Sequence, residues 1–109
     1  MRGTVRIGQY DVDMLSNGAS PFIYKRIFKK DAFSEISGAA DNIDLAGEVG
    51  FVMHLQTVKT FKEILDTVKI EDFYEWTAGF EAMDIPLAAT KIISLFYAQH
   101  TGTVDSKKK

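Results

Sequence analysis

The chain contains no cysteine, only two prolines and two histidines, and no long apolar run. The absence of cysteine excludes a disulfide framework, a zinc site built on thiolates and a thiol nucleophile. Because no apolar stretch approaches the roughly 20 residues that cross a bilayer, we expect no membrane-spanning helix. The first residues, MRGTVRIG, lack the apolar segment of a signal peptide, so we do not expect export.

The charges of the chain nearly cancel, with 13 basic and 15 acidic residues and a formal net charge of −2. Binding along a nucleic-acid backbone needs a net basic face, so this balance argues against a nucleic-acid partner. Residues 40–66 contain two predicted helices, as a helix-turn-helix does, but the second carries charges of both signs, Lys59, Lys62, Glu63 and Asp66. A DNA-binding regulator is therefore disfavoured.

The length of 109 residues predicts a single domain, which we place at residues 1–100. Residues 101–109 show no periodicity and are predicted to be a flexible basic tail. Within that domain, residues 1–16 alternate apolar and polar positions around a Gly-Gln pair, which predicts either a short β-hairpin or an extended arm. Helical periodicity follows as far as residue 100. The predicted fold is mainly α, a compact bundle of about five helices with a short N-terminal hairpin or arm.

The chain is organised around residues 43–80, whose first part is the predicted helix at residues 45–58. They are apolar on most of the helical circumference, which predicts a central helix that is covered on several sides. Gly47 and Gly50 lie inside this helix, although each glycine costs about 1 kcal/mol of helix propensity relative to alanine. We expect another helix to cross closely at these two positions.

Three positions carry signals for the start of a helix. Ser20, followed by Pro21, is predicted to be an N-cap with proline at the first helical position. Thr60 and Glu63 fit the T-x-x-E capping box. Asp84 is predicted to cap the last helix. The side chains predicted to face the core from the last two of these helices are Phe61, Ile64, Leu65, Ile85, Ala89, Ile92, Ile93 and Phe96.

The chain offers little for catalysis or metal binding. Neither His54 nor His100 has a His, Asp or Glu four residues further along, so we predict no metal site and interpret His54 as a satisfied core or edge histidine. Glu71 and Glu75 are spaced for one helix face, but at a helix start they more simply complement the helix dipole. We therefore predict no enzyme and no cofactor.

Aromatic and basic side chains are the candidates for binding another protein. Phe73, Trp76 and Phe80 share one helical stripe, which is typical of a core face. Tyr74 and Tyr97 lie at stripe margins and are better interface candidates. A basic cluster on the first helix is read either as a solvated face or as a docking patch for an acidic partner, and its members are Lys25, Arg26, Lys29 and Lys30.

Two segments of the chain resemble a known family. The first is ASPFIYKRIFKKD at 19–31, a turn followed by Pro, an aromatic-basic helix and an Asp. The second is FVMHLQTVKTF at 51–61, followed by the acidic-aromatic DFYEWTAGFEAMDI at 72–85. In this order they resemble the tail assembly chaperones of long-tailed bacteriophages and prophages, over roughly residues 17–99.

The resemblance implies a non-enzymatic, mostly helical protein that works in the host cytoplasm and is absent from the mature virion. Such chaperones bind the tape measure protein, keep it soluble and help to recruit tail tube subunits. Many are also made in a longer, frameshifted form. Lys107, Lys108 and Lys109 fit a slippery adenine run at such a site, or else a solubilising basic tail. Homo-oligomerisation is left open.

The resemblance and the aromatic pattern together predict a partner-binding surface. Its expected members are Tyr24, Lys25, Arg26, Tyr74, Trp76 and Tyr97. The alternative is a small helical adaptor or regulatory domain of phage or bacterial origin, which would use the same aromatic faces.

Overall fold

Two antiparallel strands precede the helices in the computed structural model, which describes residues 1–31 and 43–98. In these ranges the elements are β1 (Arg2–Ile7), β2 (Tyr10–Leu15), α1 (Ser20–Phe28), α2 (Ile43–Val58), α3 (Phe61–Thr67), α4 (Ile70–Ala78) and α5 (Asp84–Phe96). The prediction of a mainly α fold with an N-terminal hairpin is confirmed. His100 and the predicted tail with Lys107, Lys108 and Lys109 lie outside the described residues.

The N-terminal segment is a hairpin, so the alternative of an extended arm is wrong. Val5 pairs with Val12 across the two strands, and Ile7 pairs with Tyr10. Gly8 makes the turn with φ of 63°, a left-handed conformation that glycine adopts without steric cost. One face of the hairpin is buried and packs on α2 and α5, with Val5, Ile7, Val12 and Met14 as its inward side chains. The hairpin is therefore part of the core.

The central position predicted for residues 45–58 is confirmed by α2, which contacts the hairpin and each of the other four described helices. Nine of its 16 residues are buried. Helix α5 crosses it closely at Gly50, where an added Cβ would lie 3.2 Å from Cγ2 of Ile92. At Gly47 the nearest atoms, on Phe73 and Ile85, would lie at 3.7 and 3.8 Å, which is ordinary contact. The expected close crossing is thus confirmed at Gly50.

The predicted inner stripe of α5 is confirmed, since Ile85, Ala89, Ile92, Ile93 and Phe96 are all buried. The prediction for α3 is correct only in part. Ile64 is buried and Leu65 is half-buried, but Phe61 is 50% exposed. The reason is the shortness of α3, whose seven residues present little more than one position to the core.

Of the predicted helix starts, only the capping box of α3 is correct in detail. The backbone N–H of Thr60 donates to Oε1 of Glu63 at 2.8 Å, and the N–H of Glu63 donates to Oγ1 of Thr60 at 3.2 Å. Ser20 and Asp84 are not N-caps but the first residues of their helices. Each accepts a hydrogen bond from the residue three positions earlier, namely the N–H of Asn17 at 3.0 Å and of Glu81 at 2.8 Å. Their oxygens therefore fix the preceding turn.

The capping box makes α3 sensitive to acid. The backbone N–H of Thr60, then its hydroxyl, and then Lys59 stabilise the Glu63 carboxylate, partly offset by desolvation, and hold its pKa below the ordinary 4.5. A carboxylate with a lowered pKa stabilises the folded state above its unfolded pKa, and this stabilisation is lost as the pH falls through the folded pKa. The contribution of Glu63 is therefore present at neutral pH and disappears below pH 4.5.

Replacing Glu63 with glutamine is expected to lower stability at neutral pH and to lose its effect in acid. Urea unfolding of wild type and Glu63→Gln at about pH 7 and about pH 3 measures the difference in the free energy of unfolding. Thr60→Ala removes the other half of the box and should cost about 1 kcal/mol at neutral pH. A Glu63→Gln difference that stays constant from neutral to acid pH would contradict this account.

Candidate partner-binding groove

Helix α4 is attached to the core by its aromatic rings. Phe73 and Trp76 both pack on Phe51 of α2, with ring centroids 5.6 Å apart in each pair. Phe73 also meets Phe28 of α1 edge-on at 5.0 Å. None of the nine residues of α4 is fully buried, and Phe73 and Trp76 are half-buried. The helix is thus held on one side and open on another.

An apolar groove of about 260 Å³ lies between α4 and the N-terminal ends of α2 and α5. We call it the α2–α4–α5 groove. Its apolar walls include Ile43, Phe73, Phe80, Ile85 and Pro86, and its polar lining includes Asp44 and Glu81. The volume is below the roughly 300 to 1,000 Å³ of pockets that enclose drug-sized ligands. The groove therefore suits side chains of a docked chain better than a free small molecule.

Large apolar side chains are exposed in and beside the groove. Ile43, in its wall, is 50% exposed. Met83 and Leu87 adjoin the lining residues Ala82 and Pro86 in the chain and are 59% and 80% exposed. Exposed apolar side chains that form one patch commonly mark a binding surface for another protein, and these three are candidates for such a patch.

Gly47 lines the groove, and Gly8 packs on Asp84, which precedes the lining residue Ile85 in the chain. Gly47 leaves open the space beside Phe73 and Ile85 that a side chain would occupy. Gly8, in the hairpin turn, lies against Asp84, because a Cβ at this position would be 2.3 Å from its Oδ2. The same Oδ2 accepts the N–H of Glu81 at 2.8 Å. The hairpin turn and the start of α5 therefore brace each other next to the groove.

Two of the predicted partner-binding residues lie at or near the groove. Tyr74 is 61% exposed, and its ring centroid is 5.5 Å from that of Phe73 in the wall. Trp76 is half-buried and meets Phe80 edge-on at 5.1 Å. Tyr74 can therefore touch a partner directly, whereas Trp76 mainly supports the wall.

The prediction that Tyr24 borders a partner surface is wrong, because its side chain is fully buried. Its hydroxyl donates to Oε1 of Glu48 at 2.7 Å, and its ring packs on Phe28 at 5.1 Å. The same carboxylate oxygen lies 3.3 Å from Nζ of Lys30. Tyr24 thus belongs to the apolar stripe that α1 turns inward, and its polar end joins α1 to α2.

The other predicted surface residues lie apart from the groove. Lys25 and Arg26 are exposed on α1, and Arg26 lines a separate depression with Lys29 and Lys69. Tyr97 is half-buried at the opposite end of α5, with its ring 4.9 Å from that of Phe96. It lies 11 residues beyond Pro86, roughly 16 Å along the helix axis. The structure does not bring the six predicted residues into one site.

Sequence reasoning missed most of the residues that make the groove. Ile43, Asp44 and Glu81 were not among the predicted partner-binding residues, and neither were Met83 and Leu87, which are next to lining residues in the chain. A signal existed for Leu87, since it is apolar yet falls off the stripe formed by Ile85, Ala89 and Ile92. An apolar residue that lies off the buried stripe of an amphipathic helix is expected to face solvent.

His54 has a structural place in the fold. Its Nδ1 lies 2.9 Å from the carbonyl oxygen of Asp13 in β2, and its ring stacks on Trp76 at 6.2 Å. It joins α2 to the hairpin and to α4, as a satisfied edge histidine does. In residues 1–31 and 43–98, no group of three or more His, Asp or Glu side chains is placed to hold a metal ion. None of the helices in these ranges is long and apolar enough to cross a membrane.

Comparison of the chain with protein-family models, curated proteins and solved structures finds no match. The α2–α4–α5 groove is the feature on which a function for this chain can rest. Its lining combines the aromatic residues Phe73 and Phe80, the exposed apolar Ile43 and the acidic Asp44 and Glu81. These are properties of a surface that binds another polypeptide.

Proposed function

We propose that this chain is a tail assembly chaperone of a long-tailed bacteriophage or prophage, which binds the tape measure protein and keeps it soluble. One observation carries the proposal. The segment at 72–85, one of those that carry the family resemblance, supplies Phe73, Phe80, Glu81 and Ile85 to the α2–α4–α5 groove. Resemblance and exposed apolar surface thus coincide in one part of the chain.

The physical task of such a chaperone is to cover apolar surface on a long helical partner. A helix presents apolar side chains at i, i+3, i+4 and i+7, and a groove between helices accepts such a row. Each apolar side chain that leaves water on binding contributes roughly 25 cal/mol per Å² of buried area. The exposed Ile43 lines the groove, and the exposed Met83 and Leu87 are next in the chain to its lining residues. The role requires no catalysis.

We also propose where the chaperone acts and when it leaves the assembling tail. The chaperone acts in the host cytoplasm and leaves before the virion is complete. A longer form, made by frameshifting near Lys107, Lys108 and Lys109, recruits tail tube subunits to the bound tape measure protein. The gene sequence tests this step, because lysine codons ending in G throughout would rule out slippage on adenines.

Co-expression with the tape measure protein of the same genome, followed by size-exclusion chromatography, tests the main proposal. We expect the two to co-elute and the partner to become soluble. Leu87→Lys should weaken the complex about tenfold, because Leu87 follows the lining residue Pro86 and the substitution replaces its exposed apolar side chain with a charged one. Phe22→Lys is the matched control, since Phe22 is 71% exposed on α1 and does not line the groove.

Two outcomes would contradict the proposal. Separate elution with a tape measure protein that is soluble by itself would favour the adaptor alternative. Equal loss of binding in Leu87→Lys and Phe22→Lys would mean that the groove is not part of the interface. Far-ultraviolet circular dichroism of both variants establishes that they are folded before either outcome is read.

A further inference from the structure

We infer that the α2–α4–α5 groove binds an amphipathic helix whose apolar side chains are flanked by Lys or Arg. The inference names the chemistry of the partner segment and rests on the proposed function only in treating this groove as the partner site. Its basis is the combination of apolar walls, formed by residues such as Phe73, Phe80 and Ile85, with acidic groups at the edges.

The charges that line the groove have one sign. Asp44 in the first turn of α2 and Glu81 before α5 both line it, and both are exposed. None of its described lining residues is basic. Lys91, on α5 one turn beyond Leu87, does not line it. A segment that docks here therefore meets negative potential at both edges and gains from carrying cations.

Three carboxylates outside the groove have a cationic neighbour within the described residues. Asp11 lies 3.1 Å from Arg6, Glu48 lies 3.3 Å from Lys30, and Asp66 lies 2.8 Å from Lys62. Asp44 and Glu81 form no such ion pair within residues 1–31 and 43–98. The groove thus keeps two carboxylates available for cations that come from outside this part of the chain.

The size and the acidic lining of the groove fit an amphipathic helix better than a small ligand or an anionic membrane. At about 260 Å³, it has room for a few apolar side chains rather than an enclosed ligand. An anionic membrane surface would be repelled by Asp44 and Glu81, since binding to such a surface requires clustered Lys or Arg. A helix with a row of apolar anchors fits the walls, and basic flanks fit the edges.

Apolar contact and charge have different parts in this recognition. Exposed ion pairs contribute little affinity individually and weaken as salt rises, so the two carboxylates act mainly on the choice of partner and on the association rate. The apolar walls supply most of the affinity. Discrimination between basic and acidic helices should therefore be largest at low salt, whereas binding itself should persist at high salt.

Designed peptides test the inference directly on the full chain. Two labelled helices of about 18 residues, or five turns, carry the same leucine row and differ only in their flanks, Lys in one and Glu in the other. Fluorescence anisotropy at low salt should give a Kd about tenfold lower for the Lys-flanked peptide. A third peptide with the Lys flanks but serine in place of leucine should not bind detectably.

The double variant Asp44→Asn/Glu81→Gln should bring the ratio of the two Kd values close to one. Asp66→Asn is the matched control, because it removes an exposed carboxylate on α3 that does not line the groove, and it should leave the ratio unchanged. Equal Kd values for the two peptides with the wild-type chain would overturn the inference, and so would a ratio that survives the double variant.

Two other occupants of the groove give distinct results. If a second copy of the chain fills it, sedimentation shows a dimer that Leu87→Lys dissociates. If the basic tail of the same chain fills it, replacing Lys107, Lys108 and Lys109 with alanine tightens the Lys-flanked peptide severalfold. Either result overturns the inference. Selective peptide binding without co-elution of the tape measure protein supports the inference and refutes the proposed function. Co-elution without selective peptide binding supports the proposed function and overturns the inference.

Discussion

Replacing Ile7 with alanine is expected to lower the free energy of unfolding by about 3 to 4 kcal/mol. Ile7 is fully buried, and its strand packs against α5. Removal of its outer carbons therefore loses apolar burial and leaves a cavity that the neighbouring helices cannot readily fill. Urea unfolding followed by circular dichroism measures the change, with the slope of the transition checked for constancy.

Arg6→Ala provides the control for this prediction. Arg6 is adjacent in the same strand but faces solvent, where it lies 3.1 Å from Asp11 with both side chains more than half exposed. Such a pair contributes between zero and about 1 kcal/mol, so Arg6→Ala should change stability by no more than that. Equal effects of the two substitutions would mean that the hairpin is a peripheral arm after all.

Gly50→Val is expected to destabilise the fold by about 2 to 3 kcal/mol, although valine favours a helix more than glycine does. The first added carbon would already lie 3.2 Å from Cγ2 of Ile92 and 3.5 Å from Cε of Met14. The two further carbons of valine have no space, so α5 must move away from α2 or Ile92 must leave its preferred rotamer. Thermal and urea unfolding report the loss.

Gly47→Ala, three residues earlier on the same helix, should have the opposite effect on the free energy of unfolding. Its Cβ would make ordinary contacts of 3.7 and 3.8 Å with Phe73 and Ile85. The substitution should therefore raise the free energy of unfolding by about 0.5 to 1 kcal/mol through helix propensity. A destabilising Gly47→Ala together with a neutral Gly50→Val would contradict the packing of α2 against α5.

Much of the fold follows from periodicity along the chain. The all-round apolarity of residues 45–58 predicted a central helix, and the inner stripe of α5 was predicted residue by residue. The first residues of the helices were harder to predict, because the side chain of a Ser or Asp there can accept a hydrogen bond either from the helix or from the preceding turn. Ser20 and Asp84 take the second course. A pattern of residue types does not distinguish these two hydrogen bonds.

The groove could not be predicted in the same way. Ile43, Phe73 and Ile85 belong to three helices, and their juxtaposition depends on tertiary packing. Periodicity tells which face of each helix is apolar, but it does not tell which apolar face stays uncovered. Tyr24 illustrates the converse error, since it was assigned to the partner surface although it lies on the buried side of α1. In the fold its hydroxyl is paired with Glu48.

The contact between the hairpin and α5 has a consequence for synthesis of the chain. The hydroxyl of Ser16 donates to the carbonyl of Phe96 at 2.7 Å, and β1 packs on α5, so the earliest and latest of the described elements are neighbours. Contacts between residues so far apart in the sequence form late, and they lower the folding rate. On the ribosome, the apolar faces of the hairpin and α2 lack their cover until α5 has emerged. A product that stops before Asp84 has no means of closing its core.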